Sequence, residues 1–270
     1  MPALAFLDIP SDVAPWMYIT CTVAAMLIIG IGKAGFGAGI GIVVTPMMAL
    51  VISPASRVLA VTLPGLLAGD IVSLFLHKRD YATRLLKLLI PAGLIGVVAG
   101  ALAMRAMQMH VPAQLNTIIA LSIGVMCLVI VAMQLWRLLG GRTITLPNGP
   151  AMSILIAIIE GFISTLTNSA GILLTLHLLS HKLSKVQFVT TMLMTFLFIN
   201  AGKIVAFVLL NHLITWETVQ ELLPFLPAIP IGAMIGIWLH KRVSDRPFTI
   251  VLYTIAVVTA VRLIVKVMVG

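Results

Sequence analysis

The ionisable side chains of Lys33, Asp70, Glu160 and Lys203 lie inside long apolar stretches of this chain. A lysine at bilayer depth costs roughly 2.5–3.5 kcal/mol on insertion scales, so such groups persist where they face protein or a polar cavity and serve ions or protons. Lys33 sits in Gly30-Ile-Gly32-Lys33-Ala-Gly35-Phe36-Gly37-Ala-Gly39-Ile-Gly41, six glycines in twelve residues. Glycine permits left-handed and close-approach backbone. A helix broken there restarts near Gly37 to Gly41, and a half-helix N-terminus offers unpaired N–H groups and partial positive charge to an anion. In the second half, Ser164-Thr-Leu-Thr167-Asn168-Ser169-Ala-Gly171 supplies hydroxyls, an amide and a glycine N–H. Lys33, Gly35, Phe36, Gly37, Gly39, Gly41, Thr167, Asn168, Ser169, Gly171, Asn200 and Lys203 are therefore the candidate substrate-binding residues.

Each has a plainer reading. The glycines also let membrane helices pack closely. Lys33 either fixes positive charge in a cavity or snorkels toward an interface. Lys203, with Asn200 one turn before it on the same face, either meets solute or pairs with Asp70 or Glu160. Those two carboxylates are candidates for proton or cation coupling, or for ion pairs with the lysines. Arg57 is read as a residue of the non-cytoplasmic entrance, or as an interfacial anchor. His77, His181 and His240 flank basic loops without metal-ligand spacing and are read as facing lipid headgroups. There is no nucleophile–base constellation, phosphate loop or metal cluster, and the Gly-x-Gly spacing lacks a βαβ context. No catalytic residue, cofactor or metal is expected, and the chain is not read as an enzyme.

These residues need membrane helices to hold them. The chain has 270 residues, 61% of them hydrophobic and 9% charged, with mean hydropathy +1.17. Soluble domains carry about 25% charged residues. Apolar segments of ~20 residues match helices rather than barrel strands. They run over 17–51 (interrupted), 57–76, 87–107, 114–136, 150–180 (interrupted), 186–211, 218–239 and 248–268. The net charge of +9 does not mark a nucleic-acid binder, because most basic residues sit in short loops as topology signals. Met1 to Ser11 contains no lysine or arginine, so it lacks the basic region of a signal peptide and is expected to stay in place. Cys21 and Cys127 lie in apolar segments and are expected to be free thiols.

Loop charge decides the topology. Eleven of the 17 basic residues occupy four loops: Lys78, Arg79, Arg84 and Lys87; Arg137 and Arg142; Lys182 and Lys185; Lys241, Arg242 and Arg246. Eight simple crossings would divide these loops between the two faces, against the positive-inside rule. If both interrupted segments are re-entrant hairpins, all four loops fall on the cytoplasmic face and both termini outside. The halves also match in order: Gly41-Ile-Val-Val-Thr45 with Gly171-Ile-Leu-Leu-Thr175, Ser56-Arg57-Val58 with Ser184-Lys185-Val186, and Gly96 and Gly100 with Gly232 and Gly236. The expected fold is an all-α polytopic membrane helical bundle of two inverted repeats, 1–148 and 149–270. Each repeat holds one re-entrant hairpin and three transmembrane helices. In such transporters, broken helices meet near the midplane and hold the substrate at the repeat interface.

Gly30-x-Gly-Lys33-x-Gly-Phe36-Gly-x-Gly39, Pro46, Ser53-Pro54 and Gly69-Asp70-Ile71 resemble the first half of the TauE/SafE family of membrane exporters. Gly161-Phe162-Ile-Ser164, Lys185-x-x-Phe188, Asn200-x-x-Lys203 and Gly232-x-x-x-Gly236 continue the likeness through the second half. The resemblance implies a secondary exporter of a small sulfur-containing anion such as sulfite, sulfoacetate or a related sulfonate, in a bacterial inner membrane. The chain departs from relatives that carry Gly-Pro-Pro after the second break: it reads Ala170-Gly171-Ile172-Leu173, which alters one wall of the expected site. Its expected partners are a small anion and the lipid bilayer, not nucleic acid, with a homodimer left open. A passive anion channel, a membrane binding subunit and a carrier of a small carboxylate remain as alternatives.

Overall fold

In hydrocarbon every backbone N–H and C=O must be satisfied within the chain, and long apolar segments do this by forming helices. The computed structural model describes residues 7, 9–11, 13–36, 41–77, 80–139, 146–169, 171–242 and 245–269. Eleven α-helices form among them: α1 Pro15–Ile31, α2 Gly41–Met48, α3 Ala55–Leu76, α4 Thr83–His110, α5 Pro112–Leu138, α6 Pro150–Thr167, α7 Ile172–Leu179, α8 Lys185–Leu209, α9 Trp216–Leu222, α10 Ala228–Arg242 and α11 Asp245–Val269. Among the described residues six helices are long and apolar enough to cross a membrane, or seven if the bent α9–α10 pair is one span. No strand occurs among the described residues, so the chain is the all-α membrane bundle its hydropathy implied.

Proline and glycine interrupt the helices where sequence composition points. A π-helical turn, Gly32–Phe36, follows α1. Asn168 (φ 51°) and Gly171 (φ 121°) turn the chain between α6 and α7, backbone that only glycine and a few polar residues adopt readily. One break escaped the hydropathy reading, which runs unbroken over 218–239. A 3₁₀ turn at Leu223–Phe225 bends α9 from α10 by 46°. Pro224 and Pro227 explain it, since each removes a backbone donor and clashes with the preceding turn.

Contacts sort the helix ends into two groups. At one end α1, α3 and α5 begin and α9 finishes: Tyr18 donates to Glu221, Arg57 Nη2 lies 2.8 Å from Glu221 Oε2, and Ser56 Oγ donates to Asn116 at 2.9 Å. At the other end α3 finishes where α8 begins, with Gln187 Nε2 donating to Asp80 at 3.1 Å. There the start of α6 also meets the end of α7, through Ser153 Oγ and His177 Nε2 at 2.8 Å and Asn148 Nδ2 and Ser180 O at 2.9 Å. Trp16 and Trp216 begin helices at the first end, and Trp136 and Trp238 lie near helix ends on the basic-loop side. All four are more than half exposed, as befits indoles at a membrane–water interface.

Two helix pairs pack backbone to backbone. A Cβ on Gly30 of α1 would strike Ile229 O and Ala233 N of α10; one on Gly232 would strike Leu27 O, and one on Gly236 would strike Ile31 O. Between α6 and α4 the equivalents recur: Gly161 against Gly93 O and Val97 N, Gly96 against Ile158 O, and Gly100 against Phe162 O. The two sets correspond contact for contact, with α1 matching α6 and α10 matching α4. α3 and α8 also pack against each other.

Candidate functional site

The breaks in the helices bring the buried polar residues together. The end of α1 carries Lys33 against α3, where its ammonium meets Asp70 and donates to Leu66 O at 3.0 Å. The other Asp70 oxygen accepts from Asn200 Nδ2 of α8 at 2.7 Å. Asp70 is thus held from both sides, by a cation and an amide. Lys33 is 9% exposed and Asp70 is completely buried.

The end of α6 makes the matching approach to α8. Lys203 Nζ donates to Asn168 Oδ1 at 2.7 Å, Ser164 Oγ at 3.1 Å and Ser164 O at 3.3 Å. Asn168 in turn donates to Leu59 O and Thr62 Oγ1 of α3, both at 3.0 Å. Its left-handed backbone and these bonds tie the α6 tip to α3. Ser169 is buried and uses Thr167 for both its N–H and hydroxyl contacts, at 3.2 and 3.0 Å.

The pairing of charges departs from one sequence reading. Lys203 bonds neither Asp70 nor Glu160; its hydrogen-bond acceptors are an amide, a hydroxyl and a carbonyl, all neutral. Asn200 and Lys203 share a helix face, yet Asn200 turns to Asp70 and Lys203 to Asn168. Glu160 is buried, and neither carboxylate oxygen has a hydrogen-bond partner. Uncompensated charge is costly in a dry interior, so Glu160 and Lys203 are the two groups of this cluster with unmet electrostatic need.

The remaining candidates divide. Gly35 packs against Gly236 of α10, and Gly171 provides the second turn. The backbone of Phe36 closes the π-helical turn, and Gly41 opens α2. Gly37 and Gly39 lie outside the described residues. Arg57 is apart from the lysine cluster, at the bundle end opposite the basic loops, bound to Glu221 beside Tyr18. His77 is drawn inward: Nδ1 donates to Ser73 O at 2.8 Å, and the ring lines a cavity beside Ala34 and Gly35. Sequence reasoning passed over Thr62 and Ser73, whose signal is helical spacing: Asp70, Ser73 and His77 fall at i, i+3 and i+7 on one face of α3. No cluster of metal-ligating side chains occurs among the described residues.

A family model described as "Sulfite exporter TauE/SafE" matches residues 22–263, nearly the whole chain. No curated protein and no solved structure matches it.

Proposed function

The chain belongs to the sulfite exporter TauE/SafE family, and on that premise we propose that it expels a small sulfur-containing anion by alternating access. Membership supports a multi-pass membrane transporter. The finer reading names sulfite, sulfoacetate or a related sulfonate as cargo and a bacterial inner membrane as the setting. The observation that carries it is Lys203, a completely buried ammonium at the bundle centre whose hydrogen-bond partners are all neutral. An oxyanion between the α1 and α6 tips would give Lys203 a charged hydrogen-bond partner, which its present ones are not. The Ser164 hydroxyl and the second Asn200 amide N–H add donors near that position, with Asn168 fixing Lys203 in place, and Lys33 adds a second cation.

We take 1–148 and 149–270 as inverted repeats, with α1–α2 and α6–α7 as hairpins entering from opposite faces. The corresponding glycine contacts of α1–α10 and α6–α4 support this, as do the positions at which both hairpins begin and end. Six crossings remain, with every basic loop on one face. An inside-negative potential then drives anion expulsion by about 2.3 kcal/mol per charge per 100 mV.

Two measurements test the reading. Proteoliposomes of the purified chain, screened with sulfite, thiosulfate, sulfonates and carboxylates, are expected to accumulate one of the sulfur anions, with uptake accelerated by the same anion inside. Flux indifferent to trans substrate would make the protein a channel. Carboxylate uptake without sulfur-anion uptake would move the cargo to that class. For topology, Ser56→Cys and Ser184→Cys, each in a background lacking Cys21 and Cys127, are expected to label from opposite faces. Labelling from one face would overturn the hairpin arrangement.

A further inference from the structure

The buried lysine cluster needs a route to water, and at the basic-loop end of the bundle cavities lie close to it. Two cavities lie on either side of the α3–α8 contact, near the basic loops. One, of about 260 Å³, is walled by Ile71, Leu74, Phe75, Met194 and Leu197 with Tyr81 and Thr190, and has no basic side chain in its lining. The other, of about 290 Å³, is lined by Ala34 and Gly35 of the π-helical turn, His77, Lys185, Val189 and Ile237. Its floor adjoins Lys33 in sequence, and its rim carries two basic side chains.

A polar track connects rim to cluster. His77, Ser73 and Asp70 follow one face of α3 inward, and Asp70 holds both Lys33 and Asn200. Ser73 lies between them, completely buried, its hydroxyl without a hydrogen-bond partner. A buried hydroxyl left unsatisfied costs free energy, and a solute or water passing along α3 would satisfy it. His77 uses Nδ1 on the Ser73 carbonyl, so its Nε2 can donate to an anion when the imidazole is protonated. At the opposite end Tyr18 and Arg57 both bond Glu221, and Tyr18 and Glu221 are buried.

We propose that this cavity is the vestibule through which the anion enters from the basic-loop face, with Lys185 and His77 as its capture residues and Ser73 as its first inner contact. The proposal rests on the anion-export reading for its ligand class, a small sulfonate or sulfur oxyanion, but the test separates the two. The probe is a pair of thiol reagents applied to the full chain in proteoliposomes: anionic 2-sulfonatoethyl methanethiosulfonate and its cationic trimethylammonioethyl analogue. The target is Val189→Cys in a background lacking Cys21 and Cys127.

Labelling is expected from the basic-loop face only, with the anionic reagent favoured. Lys185→Gln combined with His77→Gln is expected to lower the anionic-to-cationic rate ratio at least fivefold. It should also raise the apparent KM for sulfite from that face severalfold, with maximal rate and opposite-face KM within twofold. Labelling from the other face, or a rate ratio unchanged by the double substitution, would overturn the vestibule. If the ratio falls as expected while no sulfur anion is transported, the export reading fails and the vestibule stands.

Discussion

Lys33→Ala is expected to reduce anion flux by at least about 100-fold, the scale set by the roughly 3–5 kcal/mol lost when one partner of a buried pair is removed. The substitution strands Asp70, which then keeps only Asn200 as a hydrogen-bond partner. The single variant therefore mixes two effects, loss of a cation for the substrate and an unpaired carboxylate in the core. The paired substitution Lys33→Ala/Asp70→Ala separates them. It removes both charges, and its melting temperature in detergent is expected to recover most of what Lys33→Ala loses. Its flux is expected to stay near background, because Lys33 serves the substrate as well as Asp70. Wild-type-like transport by the paired variant would confine Lys33 to neutralising Asp70 and leave Lys203 as the sole cation of the site.

The second large effect concerns the helix contacts that deliver Lys33 and Ser164 to the centre. Gly96→Leu and Gly232→Leu are each expected to cost more than about 4 kcal/mol, the range reserved for severe core lesions. In both, the new Cβ would overlap a backbone carbonyl of the facing helix, Ile158 O or Leu27 O, and a backbone cannot swing aside as a side chain can. The expected readout is loss of the monodisperse peak in size-exclusion chromatography. Gly149→Ala is the comparison: nothing lies within 4 Å of its Cβ position, but φ is 140°, so only a backbone cost of about 1–3 kcal/mol is expected. Equal loss in all three variants would mean that close approach is not what holds α4 to α6 and α1 to α10. Similar losses at Gly96 and Gly232 would match the equivalent places these residues take in the two halves.

Much of this architecture follows from one-dimensional properties. The bilayer imposes helix on long apolar runs, and the loop residues Lys78 to Lys87, Lys182 to Lys185 and Lys241 to Arg246 carry the charge on which the positive-inside rule acts. Glycine clusters and the Ser164–Gly171 run mark helix breaks because their backbone and side-chain chemistry is local. Lys33, Asp70, Glu160 and Lys203 stand out for the same reason: a charge in an apolar run is conspicuous wherever it points. Partner choice is another matter. Whether Asp70 meets Lys33 or Lys203 depends on how α1, α3 and α8 are rotated about their axes, and that rotation is set by the α1–α10 and α4–α6 glycine contacts, between residues far apart in the chain. Asn200 reaches Asp70 across 130 positions, and Asn168 reaches Thr62 across 106. The bend before α10 and the cavity beside His77 belong to the same class, since each arises where separate helices meet. Sequence marks which groups must be sheltered from lipid; the packed helices choose the company each one keeps.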